Sequence, residues 1–244
     1  MGPPPGYVAY GGPGDAGRRF MRIGGLTKAL VVLVAIYIPL ALVGVAATVR
    51  AAHRARDFLD GKISANSFEN SIGLGSNFGG LLVFAIAPLT MIWMFRMARN
   101  VRILGRPGVK FAPGWAIGGW FTPPLVLYVV PWLMFRELWK ASEPGLAPGD
   151  GSWRQAKVSP IVEAWWVLFG LVPLIGLFTA AGLLSQFRNL GDDADIRRRK
   201  LAEQLDAHLT LNVIVALLGV LAAVAYLIVV VQLSRRHRRA TGEP

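Results

Sequence analysis

Four apolar stretches of 21 to 25 residues recur along the chain, at 26–49, 78–98, 161–184 and 209–233. A transmembrane helix needs about 20 predominantly apolar residues to cross the hydrocarbon core of a bilayer. None of the four stretches carries a charged side chain near its centre. The pattern therefore predicts an all-α integral membrane protein, a helical bundle in which these stretches are the spanning helices.

A fifth apolar stretch, 113–135, is long enough to cross the membrane but contains four prolines and three glycines. Each proline removes a backbone donor, and irregular backbone at membrane depth is tolerated only where protein surrounds it. We therefore expect 113–142 to form a re-entrant or interfacial segment, in which Pro131 opens a helix that runs to Ser142. The alternative is a fifth span.

Lysine and arginine counts distinguish the two topologies, because these residues concentrate on the cytoplasmic side of a membrane protein. With four spans, 17 of them lie on the side of the termini and 9 on the other side; with five spans the counts are 14 and 12. We predict four spans in the cell (plasma) membrane, with both termini cytoplasmic. The basic run 197–200 falls outside in this arrangement, which keeps the five-span alternative open.

The remaining segments complete the domain organisation. Residues 1–25 form a leader rich in proline and glycine, which has too few apolar side chains to build a core and is predicted to be disordered in the cytoplasm. Residues 26–234 make a single transmembrane domain, and 235–244 make a basic cytoplasmic tail. Charges of alternating sign near 193–207 predict a short solvated helix.

Composition supports the membrane assignment and narrows the chemistry. The chain is 54% hydrophobic and 16% charged, whereas soluble domains average about 25% charged residues. The net charge of +12 does not indicate nucleic acid, because the basic residues cluster at the ends of apolar stretches as membrane topology requires. The absence of cysteine excludes disulfides, iron–sulfur clusters and thiol catalysis.

Four arginines after the second span form the strongest candidate binding feature. Arg96, Arg99, Arg102 and Arg106 follow one another at steps of three, three and four residues. At 100° per residue they fall within an arc of about 120°, so the helix leaves the membrane with a basic face. This face could bind an anionic lipid headgroup or a protein partner, or it could serve only as a topological anchor.

Acidic and histidine side chains give little support for catalysis. We expect Glu137 to pair with Arg96 or Arg99, with a role as general base as the alternative, while Glu163 lies at the start of its helix, where the dipole favours an anion. The three histidines are scattered, and HExxH, GxSxG and P-loop motifs are absent. No catalytic, cofactor-binding or metal-binding residue is predicted.

The central run from Phe95 to Ser142 resembles a bacterial membrane family, frequent in actinobacteria, known as domain of unknown function 4328. The resemblance lies in an Arg-x-x-x-Asn-x-x-x-Leu-Gly turn, followed by Pro-x-Trp-Ala, Trp-Phe-x-Pro and Glu-Leu-Trp-x-Ala-Ser. The matching residues are Arg96, Asn100, Leu104, Gly105, Pro113, Trp115, Ala116, Trp120, Phe121, Pro123, Pro131, Glu137, Leu138, Trp139, Ala141 and Ser142. The resemblance implies a multi-pass membrane protein and supplies no established activity.

The leading hypothesis for function is a non-catalytic scaffold or regulatory protein that docks membrane lipid or a protein partner on its basic cytoplasmic face. The alternative is a small-molecule transporter or channel that uses the Gly/Pro-broken segment 113–135, since unwound segments can line substrate sites with bare backbone. Neither hypothesis requires a cofactor or nucleic acid, and the oligomeric state is left open.

Overall fold

The structure, a computed structural model, describes residues 19–73, 77–121, 124–170 and 193–244. It confirms the all-α class: the described residues form helices and contain no strand. The helices are α1 (Gly24–Leu59), α2 (Ala65–Gly73), α3 (Asn77–Ile103), α4 (Trp115–Gly118), α5 (Pro124–Ala141), α6 (Pro160–Gly170), α7 (Ala194–Ala207) and α8 (Leu209–Thr241). Short 3-10 turns occupy Gly119–Phe121 and Gly151–Gln155.

Helices α1 and α8 form a long antiparallel pair that defines the two ends of the bundle. At one end, the Glu243 carboxylate accepts hydrogen bonds from the backbone N–H groups of Ile23 and Gly24, the first of them at 3.1 Å and the second at 2.9 Å. These donors have no partner within α1, so Glu243 supplies the cap that the helix start lacks. At the other end, Arg56 pairs with Asp206 at 2.7 Å. We call these the terminal end and the distal end.

Helix α3 joins the pair through buried polar side chains. The Trp93 indole N–H lies 3.2 Å from both the Thr27 and the Ser234 hydroxyl oxygens, which themselves lie 2.9 Å apart. About one helical turn farther from the terminal end along α3, the hydroxyls of Thr90 and Tyr226 are hydrogen-bonded. Lipid provides no hydrophobic drive for helices to associate, so van der Waals packing and interhelical hydrogen bonds such as these select the contacting faces.

The distal end is closed by α2 and α7, which lie against the last turns of α1. Arg198 of α7 pairs with Glu69 of α2, and Phe58 stacks on the buried Phe68 with ring centroids 5.0 Å apart. Asp193 caps α7 by accepting from two backbone N–H groups of its first turn. The short helix predicted near 193–207 is confirmed.

The chain between α3 and α6 leaves the terminal end and returns to it. The backbone N–H groups of Lys110 and Phe111 donate to the Glu137 carboxylate at 2.8 and 3.1 Å, and the Arg106 guanidinium reaches the carbonyl of Ala141. The expected helix start at Pro131 is wrong, because α5 begins at Pro124. A proline costs least in the first turn, where its missing N–H would have no acceptor.

Among the described residues, three helices are long and apolar enough to span a membrane: Gly24–Leu59, Gly80–Ile103 and Leu209–Thr241. Of the predicted stretch 161–184, the structure describes the part up to Gly170 as helix α6. The rest of that stretch and residues 1–18 of the leader lie outside the described residues. Helix α8 continues through 235–241, so the basic run assigned to a tail is helical.

Replacing Trp93 by Phe should destabilise the bundle, because it removes the buried N–H that serves two hydroxyls while keeping an aromatic ring. The expected cost is about 1–3 kcal/mol, the range for buried polar groups left without a partner. The measurement is thermal or denaturant unfolding of the purified protein in detergent micelles. Trp115→Phe is the matched control, since Trp115 is 44% exposed. Equal stabilities for the two variants would contradict the role assigned to Trp93.

Candidate functional site

A buried polar junction joins four chain segments at the terminal end. The Asn100 carboxamide accepts from the Met21 N–H at 2.8 Å and donates to the Met21 carbonyl at 2.9 Å. Its nitrogen also lies 3.1 Å from His237 Nε2, while His237 Nδ1 lies 2.8 Å from the Ser142 hydroxyl. Asn100, Ser142 and His237 have no exposed surface. The junction therefore ties the segment before α1 to α3, α5 and α8.

The Met21 backbone fixes the orientation of the Asn100 amide, because only one orientation pairs the amide oxygen with an N–H and the amide nitrogen with a carbonyl. The second N–H of Asn100 then faces His237 Nε2, which must accept it. His237 is consequently neutral and carries its proton on Nδ1, which donates to Ser142. Sequence analysis missed His237, although its spacing from the buried Leu233 and Ser234 places it on the inner face of α8.

Arg106 also lies at the terminal end, but it is not on the basic face of α3 with Arg99 and Arg102. Its side chain is buried, and its guanidinium donates to the carbonyls of Ala141 at 3.2 Å and Ala147 at 2.8 Å. The carbonyls of Glu143 and Leu146 lie slightly farther away, at 3.5 and 3.4 Å. Burial lowers the pKa of Arg106, and the charge of Asp150 opposes that shift. Arg106 thus caps the C-terminal end of α5.

The reason that Arg106 departs from the predicted arc lies in the turn after α3. The helix ends at Ile103, and Gly105 adopts a left-handed conformation with φ of 64°. The rotation of 100° per residue therefore stops before residue 106. The carbonyl of Leu104 accepts from the N–H of Gly149 at 3.0 Å, which fixes the turn against the loop after α5.

Glu137 is held by donors other than the expected ones, and Glu163 has two partners that the sequence does not predict. Glu137 does not pair with Arg96 or Arg99: it accepts from the two backbone N–H groups at 110 and 111, and Arg96 donates to the Arg22 carbonyl at 2.8 Å. Glu163 accepts from the Trp132 indole at 2.6 Å and pairs with Arg136 at 3.0 Å. Both acids therefore connect segments at the terminal end.

The other residues of the central motif occupy several environments. Trp139 is buried; the Arg236 guanidinium lies 5.4 Å from its ring centroid and donates to its carbonyl at 2.9 Å. The Trp120 and Phe169 rings pack edge to face with centroids 6.0 Å apart, which joins the central segment, residues 113–142, to α6. Pro113 is half-buried, Trp115 is exposed and Pro131 lies inside α5, while Pro123 falls outside the described residues.

Two members of the predicted basic face remain available to a ligand. Arg99 and Arg102 are exposed on the outer side of α3, whereas Arg96 is half-buried and committed to the Arg22 carbonyl. Neither Arg99 nor Arg102 meets a carboxylate of a described residue. Arg154, elsewhere at the terminal end, donates to the carbonyl of Pro107 at 2.9 Å.

Charge is divided unequally between the two ends of the bundle. In the described segments 19–30, 96–112, 132–163 and 234–244, sixteen Lys and Arg side chains accompany five carboxylates. In the described segments 50–70 and 193–208, eight accompany seven. The described part of the chain is thus strongly basic at its terminal end and close to neutral at its distal end.

Two open grooves lie at the terminal end. One, of about 290 Å³, is lined by Trp139, Pro144, Gln232, Arg235, Arg236 and Arg239. The other, of about 370 Å³, lies between the turn at 108–111 and helix α5, with Lys110, Lys140 and Arg154 at its rim. Across the described residues, no three His, Asp or Glu side chains come together as a metal site would require.

Comparison with known proteins assigns the chain to a family without a known activity. Residues 63–235 match the family model described as Domain of unknown function (DUF4328), and the chain belongs to that family. The match contains α2 to α7 and most of α8, including Asn100 and Ser142. No curated protein and no solved structure matches the chain.

Replacing Asn100 by Ala should loosen the terminal end, because it leaves the Met21 backbone and the His237 ring without their partner. Each buried polar group left unpaired costs about 1–3 kcal/mol. We expect a lower unfolding midpoint in detergent micelles and faster hydrogen exchange at residues 19–23. Asn70→Ala is the control, since Asn70 is exposed on α2. Unchanged exchange at 19–23 in Asn100→Ala would show that the junction does not hold this segment.

Proposed function

We propose that this chain is a four-span, non-catalytic membrane protein whose basic terminal end faces the cytoplasm and docks anionic lipid, in a scaffold or regulatory role. The observation that carries the proposal is the division of charge, with sixteen cations against five carboxylates at the terminal end and eight against seven at the distal end of the described chain. Lys and Arg near span ends set the orientation of a membrane protein, so the terminal end is assigned to the cytoplasm.

Contacts at the two ends favour an even number of crossings. The cap that Glu243 gives to α1 keeps the two ends of the described chain together. The bonds of Glu137 to residues 110 and 111 keep the central segment on the side from which it departs. Glu163 lies beside α5 near the terminal end, whereas Arg198 lies at the distal end. A segment that crossed the membrane between Glu163 and Arg198 would be the fourth span.

The transport alternative gains no support from the packing of the central segment. A Cβ at Gly119 would lie 2.7 Å from a methyl group of Val130, and Trp120 packs on Phe169. These contacts fill the space beside Gly119, whereas Gly114 and Gly118 are exposed on the surface of the segment. Docking through the exposed Arg99 and Arg102 remains the better supported role, since each cation near an anionic leaflet contributes about 1 kcal/mol.

Single cysteines test the topology directly, because the chain has none of its own. In intact cells, an impermeant maleimide should label Ala194→Cys and should label Ser152→Cys only after permeabilisation. Both positions are exposed, so access to the reagent depends on the side of the membrane. Labelling of Ser152→Cys but not Ala194→Cys in intact cells would contradict the proposed orientation.

Arg99→Glu should weaken the binding of anionic lipid. Reversing one charge near a headgroup changes the interaction by about 2 kcal/mol, so we expect at least about a fivefold loss in phosphatidylglycerol affinity at low salt. The measurement is native mass spectrometry of the purified protein in neutral detergent, titrated with that lipid. Arg54→Glu is the matched control, because Arg54 lies at the distal end and is exposed, as Arg99 is. Equal affinities for the two variants would refute docking through this face.

A further inference from the structure

One face of α8 changes from apolar to basic along its length. Leu221, Ile228, Gln232, Arg235 and Arg239 are all exposed and follow at steps of seven, four, three and four residues. At 100° per residue these steps keep the five side chains within about 60° of one another. The face is therefore one continuous stripe, whose apolar part lies within the span and whose basic part lies at the terminal end.

The basic part of this stripe forms one wall of the 290 Å³ groove, and Trp139 and Pro144 of the neighbouring segment form the other. Arg236, which lies between the two, has its charge paired with Glu143 and donates to the Trp139 carbonyl. Arg235 and Arg239 have no carboxylate partner among the described residues and stand one helical turn apart. The groove thus offers two cations of unbalanced charge beside a fixed aromatic wall.

We propose that this groove binds the headgroup of an anionic phospholipid, with the phosphate between Arg235 and Arg239 and an acyl chain along Ile228 and Leu221. The inference rests on the proposed function, which places the terminal end at the cytoplasmic leaflet, and it names a second lipid site on a different helix from Arg99. A volume of about 290 Å³ corresponds to about ten water molecules at ~30 Å³ each, which is enough for a phosphoglycerol group.

The continuity of the stripe favours a lipid over a free anion. A free phosphate would use only the two guanidinium groups, whereas a phospholipid also covers the apolar side chains about two and four turns below Arg235. Arginine suits the phosphate because its planar fork donates two parallel hydrogen bonds to adjacent oxygens. The exposed Gln232 lies between the two parts, at the level where the headgroup would meet the acyl chains.

The test uses the full chain carrying Ile228→Cys labelled with bimane, in phosphatidylcholine nanodiscs that contain a small fraction of brominated lipid. Brominated phosphatidylglycerol should quench this label about tenfold more effectively per mole than brominated phosphatidylcholine, the preference expected of two cations at one headgroup. Ile214→Cys is the matched control: it lies on the same face toward the distal end and is also exposed. There the two lipids should quench equally.

Charge variants assign the preference to the groove. Arg235→Gln with Arg239→Gln should reduce the preference at residue 228 to below about twofold, whereas Arg99→Gln with Arg102→Gln should leave it unchanged. A preference that persists in the Arg235→Gln, Arg239→Gln variant overturns the proposal. Equal quenching by both lipids in the parent protein also overturns it and would favour an acidic protein segment as the occupant of the groove.

Soluble glycerol phosphate separates a lipid site from a simple anion site. If it abolishes the preference at a concentration comparable to that of the lipid, the acyl chain contributes nothing and the lipid proposal fails. If a large excess is needed, the proposal stands. Because Arg99-dependent binding is measured separately, loss of this site alone leaves the proposed function intact.

Discussion

The paired hydrogen bonds between Asn100 and the backbone of Met21 are the constraint on which the terminal end depends. They hold the segment before α1 against α3, and so they help to fix where α1 starts. The same amide orients His237, and through it Ser142 at the end of α5. In lipid, where no hydrophobic drive favours one helix face over another, a fully satisfied buried amide helps to select one arrangement over its alternatives.

The Pro- and Gly-broken segment can exist here because its ends are held by charged groups that are fully paired. Glu137 supplies acceptors to two backbone N–H groups, and Arg106 supplies donors to carbonyls at the end of α5. Irregular backbone in a membrane protein requires such partners wherever water cannot reach it. A polar side chain of the motif shared with the family, such as Glu137, can therefore serve the backbone, without any substrate being involved.

The sequence was sufficient for the elements that follow from periodicity and from local chemistry. The all-α class, the long apolar helices and the short helix at 194–207 all rest on patterns within one segment. Arg106 and His237 could not be assigned in this way. A left-handed glycine removed Arg106 from the helical arc, and a tertiary contact with Asn100 buried a histidine that sits among arginines. Helical spacing places His237 on the inner face of α8 but does not identify its partners, which are distant in the chain, and it does not apply to Arg106, which follows the end of α3.

The basic residues of the terminal end fall into two groups with different consequences. One group donates hydrogen bonds to backbone carbonyls or to a carboxylate and so stabilises the fold: it comprises Arg96, Arg106, Arg154 and Arg236. Arg99 and Arg102 on α3, and Arg235 and Arg239 on α8, remain exposed. Positive-inside anchoring requires only that cations be present, and either group would satisfy it. Recognition of an anionic headgroup requires in addition that cations be exposed and without a carboxylate partner. The proposed lipid docking rests on this second requirement, which the two exposed pairs meet within the described chain.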